Sequence, residues 1–127
     1  MFGNCVNSRK QGDIGLAAAI SWFARKGYTV CVPLTDSQKY DLVVEHDKIL
    51  ERIQVKTTGS KKPNGNYEVH TKTCGGYKTK SFCHFNGDNS DYLFVPTEDD
   101  SKYLIPSNLV PKRSITLGDK WQQFRLK

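Results

Sequence analysis

The chain has 127 residues and a formal charge of +6, with 37% hydrophobic and 25% charged residues, a balance that suits one folded domain over 1–127 and excludes wholesale disorder. No apolar run approaches the roughly 18 residues a bilayer crossing needs, and residues 1–10 lack the apolar segment of a secretory signal, so a soluble cytoplasmic protein with reduced cysteines and no membrane partner is expected. The basic excess fits a polyanionic partner, nucleic acid being the commonest, met by a folded surface because no Lys/Arg-rich tail gathers the charge.

Residues 12–26, GDIGLAAAISWFARK, have the length and alanine content of a helix, with Gly27 at the stop position. Leu16, Ile20, Phe23 and Ala24 follow helical spacing. Asp13 lies one turn before Leu16 and Ala17, beside that stripe. It reads either as a first-turn acid serving the helix dipole or as a functional carboxylate. YTVCVPL (28–34) is a strand, in which Cys31 is expected as a buried free thiol.

YDLVVEHDKILERIQVKTT (40–58) then reads as two strands and a tight turn. A loop rich in Gly, Pro, Asn and Lys follows (58–66), and YEVHTKT (67–73) alternates as a strand does. His70, Cys74, Cys83 and His84 sit near one another, but their spacing matches no familiar zinc pattern, so no structural zinc is expected. DYLFVPT (91–97) and KYLIPS (102–107) are two further strands around an acidic turn, and a short helical turn is expected at 106–109. The pattern is α/β, a sheet with the first helix packed on a face.

The hairpin carries the chemistry. With Asp47–Lys48 as the central turn residues, Leu42 opposes Ile53 and Asp41 opposes Gln54. One face then carries Leu42, Val44, Ile49, Ile53 and Val55, and the other Asp41, Val43, Arg52, Gln54 and Lys56. Asp-Lys is a poor two-residue turn beside Asp-Gly. A four-residue loop on the same centre keeps the pairing, whereas an odd loop would set Asp41 opposite Ile53 or Val55. In the even registers Asp41, Gln54 and Lys56 converge, since opposed Cβ atoms lie about 5 Å apart.

That set suits phosphodiester hydrolysis. A hard cation such as Mg²⁺ takes oxygen ligands and needs only one or two carboxylates. Asp41 offers a charged oxygen, Gln54 an amide oxygen and Val55 its carbonyl. Lys56 is suited to orienting water or stabilising developing negative charge.

A strand-borne Asp followed by an acid–apolar–Lys triplet on the next strand resembles the signature of PD-(D/E)XK nucleases. Here the triplet is QVK and "YD" stands for "PD". The resemblance covers about Lys10 to Phe124 and is tightest to the intron-associated homing endonucleases, through KQGDIGLAAAISWFARKGYTVCVPLTDSQKYDLVV, RIQVKTT and DYLFVPTEDDSKYLIPSNLV. Gln in the triplet is familiar in that branch. The branch often has a Glu after the glycine of the first helix, where this chain reads Gly15–Leu16; Asp13 is the candidate substitute.

The resemblance implies a restriction-endonuclease-like mixed β-sheet flanked by helices, and site-specific cleavage of double-stranded DNA with Mg²⁺ or Mn²⁺ by a homodimer or higher homo-oligomer. Asp41, Gln54 and Val55 would hold the metal, with Asp41, Gln54, Lys56 and Asp13 as the catalytic set. Two rivals share these residues: a junction-resolvase-like nuclease and a DNA-binding protein that has lost catalysis. DNA contacts are expected from Lys61 and Lys62 in a flexible loop after the second hairpin strand. Others are expected from Lys72, Lys78 and Lys80, with Tyr67 and Tyr77 interleaved, as a β-ribbon in the major groove, and from Arg9, Lys10, Lys112 and Arg113 on the backbone.

Overall fold

The computed structural model describes residues 1–3, 7–71 and 89–127, together with the backbone of 73–74 and 82–83. Its first element is helix α1, Ser8–Arg25. The helix begins a turn earlier than the alanine-rich segment suggests. Asn7 is extended, and its side chain accepts a hydrogen bond from the Lys10 amide at 2.9 Å, so an N-cap lies upstream of Gly12. Gly27, at φ +90°, ends the helix where expected. One consequence reaches the site: Asp13 sits in the second turn, beyond the N-terminal turn where the helix dipole acts most strongly.

Strands β1 (Thr29–Cys31), β2 (Leu42–His46), β3 (Ile49–Val55), β4 (Glu68–His70), β5 (Thr73–Cys74), β6 (Phe82–Cys83), β7 (Tyr92–Pro96), β8 (Lys102–Pro106) and β9 (Ser114–Thr116) follow. Five make one sheet in the order β1-β2-β3-β7-β8, antiparallel except for the parallel pair β3–β7. This is the mixed α/β sheet anticipated. Gly15, Ala19 and Phe23, at intervals of four, turn α1 onto a face made by Leu42, Val44, Ile53 and Phe94. On the other face Leu93, Val95, Tyr103 and Ile105 pack against Tyr67, Val69, Ile115 and Trp121. β7 is thus covered on both sides, which is why LFV runs apolar without alternation. The second cover is the β4–β9 pair with a 3₁₀ segment at Asp119–Phe124, not another α-helix. A 3₁₀ turn at Ser107–Leu109 fills the place of the expected helical turn.

Cys31 is exposed, contrary to the buried thiol expected. β1 is the sheet's edge and only three residues long. Val30 turns towards α1, so its neighbours Thr29 and Cys31 point from the opposite face, and both are exposed. Beyond Cys31 the chain leaves the sheet, and Val32 and Leu34 are exposed as well.

Asp47 and Lys48 take φ of 52° and 68°, the two positive values of a type I′ turn. The register is the even one, with Leu42 opposite Ile53 and His46 opposite Ile49. A lysine in the left-handed region costs about 1 kcal/mol. Lys48→Gly should therefore raise stability by roughly 0.5–1 kcal/mol, read as a shifted urea midpoint with an unchanged slope. Midway along β3, Arg52 makes a fork onto Asp91: its Nε and a terminal nitrogen each lie 3.2 Å from a carboxylate oxygen. The Arg52 amide donates to the same carboxylate at 2.7 Å, fixing where β7 joins β3. The Arg52 guanidinium bond, helped by the amide, holds the Asp91 carboxyl below the usual range. Among the described residues no helix is long and apolar enough to cross a membrane.

Candidate active site

β2 begins at Leu42, and the residue before it, Asp41, still donates its amide to the Ile53 carbonyl at 2.8 Å. The pairing therefore carries Asp41 alongside Gln54 and Val55. Its Oδ2 accepts from the Val55 amide at 2.8 Å and from Gln54 Nε2 at 3.1 Å. A carboxylate only accepts, so the amide nitrogen of Gln54 must face it, which leaves Gln54 Oε1 directed elsewhere. Because the amide and carbonyl of one strand residue point to the same side, the Val55 carbonyl also faces this end of the sheet, past the start of β2.

The space around them is a cleft of about 420 Å³ lined by Arg9, Gly12, Asp13, Leu16, Asp41, Gln54 and Val55. Four of these residues come from the first turns of α1 and three from the hairpin, Asp41 just before β2 and Gln54 and Val55 on β3. Asp13 and Arg9 thus share the cleft with Asp41, and so does Leu16, an apolar wall where a carboxylate would have been a third acid. Lys56 follows Val55 and donates its amide to the Phe94 carbonyl at 3.0 Å. Burial pushes the Asp41 carboxyl above its ordinary value, partly offset by the Val55 amide and the Lys56 charge. The Gln54–Asp41 hydrogen bond brings two of the three hairpin groups together, while Lys56 acts on the carboxylate through its charge and is not among the residues that line the cleft.

Whether a hard divalent cation suits this cleft turns on the donor set. Two carboxylates, an amide oxygen and a main-chain carbonyl are all oxygens, and a cation that keeps several waters needs no more. Among the described residues no cluster of three or more His, Cys, Asp or Glu occurs, so the protein's share of the ligands is small. The donors fit a cation held with partial hydration.

Two features of the cleft escaped the sequence reading. Gln11 Nε2 donates to Thr57 Oγ1 at 3.3 Å, tying α1 to the end of the strand that carries Lys56. Gly15 sits over the same threonine: a Cβ there would lie 1.9 Å from Thr57 Cγ2 and 3.3 Å from Pro96 Cγ. A glycine inside a helical pattern is a detectable mark of close approach; the Gln11–Thr57 bond left no mark.

The expected DNA contacts are dispersed. Arg9 is in the cleft and Lys10 is exposed on the same helix. Lys61 and Lys62 belong to a closed turn, not a loose loop: the Lys62 amide donates to the Asn66 carbonyl at 2.8 Å, and Gly65 takes φ +87°. Lys61 Nζ stands 5.0 Å over the Tyr67 ring, and Lys62 Nζ pairs with Glu68 Oε2 at 3.0 Å. Lys112 and Arg113 are exposed just before β9. Lys72, Lys78, Lys80 and Tyr77 lie outside the described residues, as do His84 and the side chains of Cys74 and Cys83.

The structure of a bacterial homing endonuclease, I-Ssp6803I, is similar with a TM-score of 0.82 and 26% identity, over 94% of this chain and 89% of that one. No curated protein matches in sequence. A family model described as PD-(D/E)XK endonuclease matches residues 6–124. That match takes in α1, every strand of the sheet and every residue of the cleft, and the chain belongs to the PD-(D/E)XK endonuclease family.

Proposed function

We propose that the protein is a site-specific, homing-type DNA endonuclease acting as a homodimer or higher homo-oligomer, with Mg²⁺ or Mn²⁺. The observation that carries the reading is Asp41, held by the Gln54 and Val55 nitrogens in a cleft shared with Asp13. Nucleases of this family use divalent metals, and the solved structure similar to this chain is a homing endonuclease.

Asp41, Gln54 Oε1 and the Val55 carbonyl would hold the cation, which supplies a Lewis acid for the phosphate and acidifies water. The chain's own groups do the rest. Gln54 and the Val55 amide fix the Asp41 carboxylate so that it does not swing away when a phosphate approaches. Lys56 orients the attacking water and offsets negative charge as it develops. Arg9 receives a non-bridging oxygen of the DNA backbone at the mouth of the cleft. Asp13, freed from the helix-dipole role by its second-turn position, supplies the second acid that Leu16 does not. A chain this size contacts only part of a long site, which is the argument for a symmetric assembly.

The test is to incubate the protein with a random-sequence duplex library and Mg²⁺ and to map the ends. Recurrent ends within one partly palindromic sequence are expected. Scattered ends would sink the site-specific reading, and preferential cutting of four-way junctions would favour a resolvase instead.

A further inference from the structure

The β4–β9 pair is a two-stranded antiparallel ribbon with two unlike faces. Val69 and Ile115, directly paired, are buried in the core cluster. The neighbouring pairs, Glu68 with Thr116 and His70 with Ser114, therefore point outwards. All four are exposed or half-buried, and all four are hydrogen-bonding side chains. Glu68 is held between two basic groups, Lys62 Nζ at 3.0 Å and His70 Nε2 at 3.5 Å. Arg113 leads into β9 at one end of the ribbon, and Lys62 stands at the other.

We infer that the outer face of this ribbon enters the DNA major groove and that Glu68, His70, Ser114 and Thr116 read base edges there. The inference rests on the DNA substrate proposed above. Three physical points carry it. A two-stranded ribbon fits the major groove, where each base pair shows its own donor–acceptor pattern. The outward row mixes an acceptor, a donor–acceptor ring and two hydroxyls; hydroxyls serve phosphates and bases alike, but the Glu68 carboxylate is repelled by phosphate and suits a base edge. Cations stand at the two ends of the row, where the flanking phosphates would lie. Glu68, already satisfied by Lys62 and His70, enters without the penalty of an unpaired carboxylate beside phosphates, and its oxygens remain suited to a cytosine amino group.

Selecting bound duplexes from a random library with the Asp41→Asn protein reads recognition without cleavage. The parent should favour one sequence. His70→Ala and Ser114→Ala should each flatten the preference at one or two positions, costing about tenfold in affinity for the favoured site with non-specific affinity kept. Arg113→Ala should instead weaken all sequences alike and lower the salt slope by about one. Both alanine changes lie on the outward face, so melting temperatures should hold. An unaltered preference in both, or none in the parent, overturns the inference. Failure of the wild-type protein to cut, with a ribbon-dependent preference intact, would overturn the nuclease reading and leave the ribbon assignment standing.

Discussion

Asp41→Asn should reduce DNA cleavage by about a thousandfold or more, yet the metal-free protein should be no less stable at neutral pH, and more stable if anything. The first part follows from losing the anchored charge of the cleft. The second follows from the direction in which burial moves this carboxyl. Its pKa is raised in the folded chain, so the folded state holds the Asp41 proton more tightly than the unfolded chain does. That contribution to stability is fully present below the unfolded pKa and is lost as pH rises through the folded one. Above the unfolded pKa, ionising this carboxyl thus weighs against the fold. Asparagine removes it while its carbonyl oxygen can still accept from the Val55 amide. Melting curves of the two proteins in a chelator should separate at neutral pH and converge in acid. A large loss of stability at neutral pH would mean that Asp41 is chiefly a structural clamp.

Gly15→Ala should cost about 1–3 kcal/mol, although alanine is the better helix former by nearly 1 kcal/mol. The new methyl would overlap Thr57 Cγ2, which would lie only 1.9 Å away. Relief has two routes. Thr57 can rotate, which takes Oγ1 away from Gln11 Nε2, or α1 can lift from the sheet. Either loosens the helix whose next residues outward, Asp13 and Arg9, line the cleft. Thr57→Ser removes the clashing methyl and keeps the hydroxyl, so the double variant should recover most of the lost stability. Chemical denaturation of the four proteins of this cycle gives the coupling. Additive effects would place the clash elsewhere, Pro96 being next in line at 3.3 Å.

Local chemistry determined a good deal of this protein. Alternation over 42–44 and 53–55 set the apolar face while leaving an odd loop open, and the structure has the even register, the one that keeps both strands' apolar residues on one side. From this came Asp41 beside Gln54. The end of α1 was equally legible, because Gly27 alone tolerates the φ of +90° found there. Other features depend on contacts distant in sequence. Cys31 looked buried among apolar neighbours, but burial depends on what covers a strand, and in β1 only Val30 packs against a core cluster while Cys31 is exposed. β9, Ser-Ile-Thr, is too short to show a period and exists because β4 supplies its partners. Whether Asp13 reaches the cleft depended on where α1 begins and on how closely Gly15 lets it approach Thr57. The sequence alone determined which chemical groups ride on the hairpin, since period and turn are local. Only the tertiary structure decided which groups from elsewhere meet them, since that depends on the packing distance between helix and sheet.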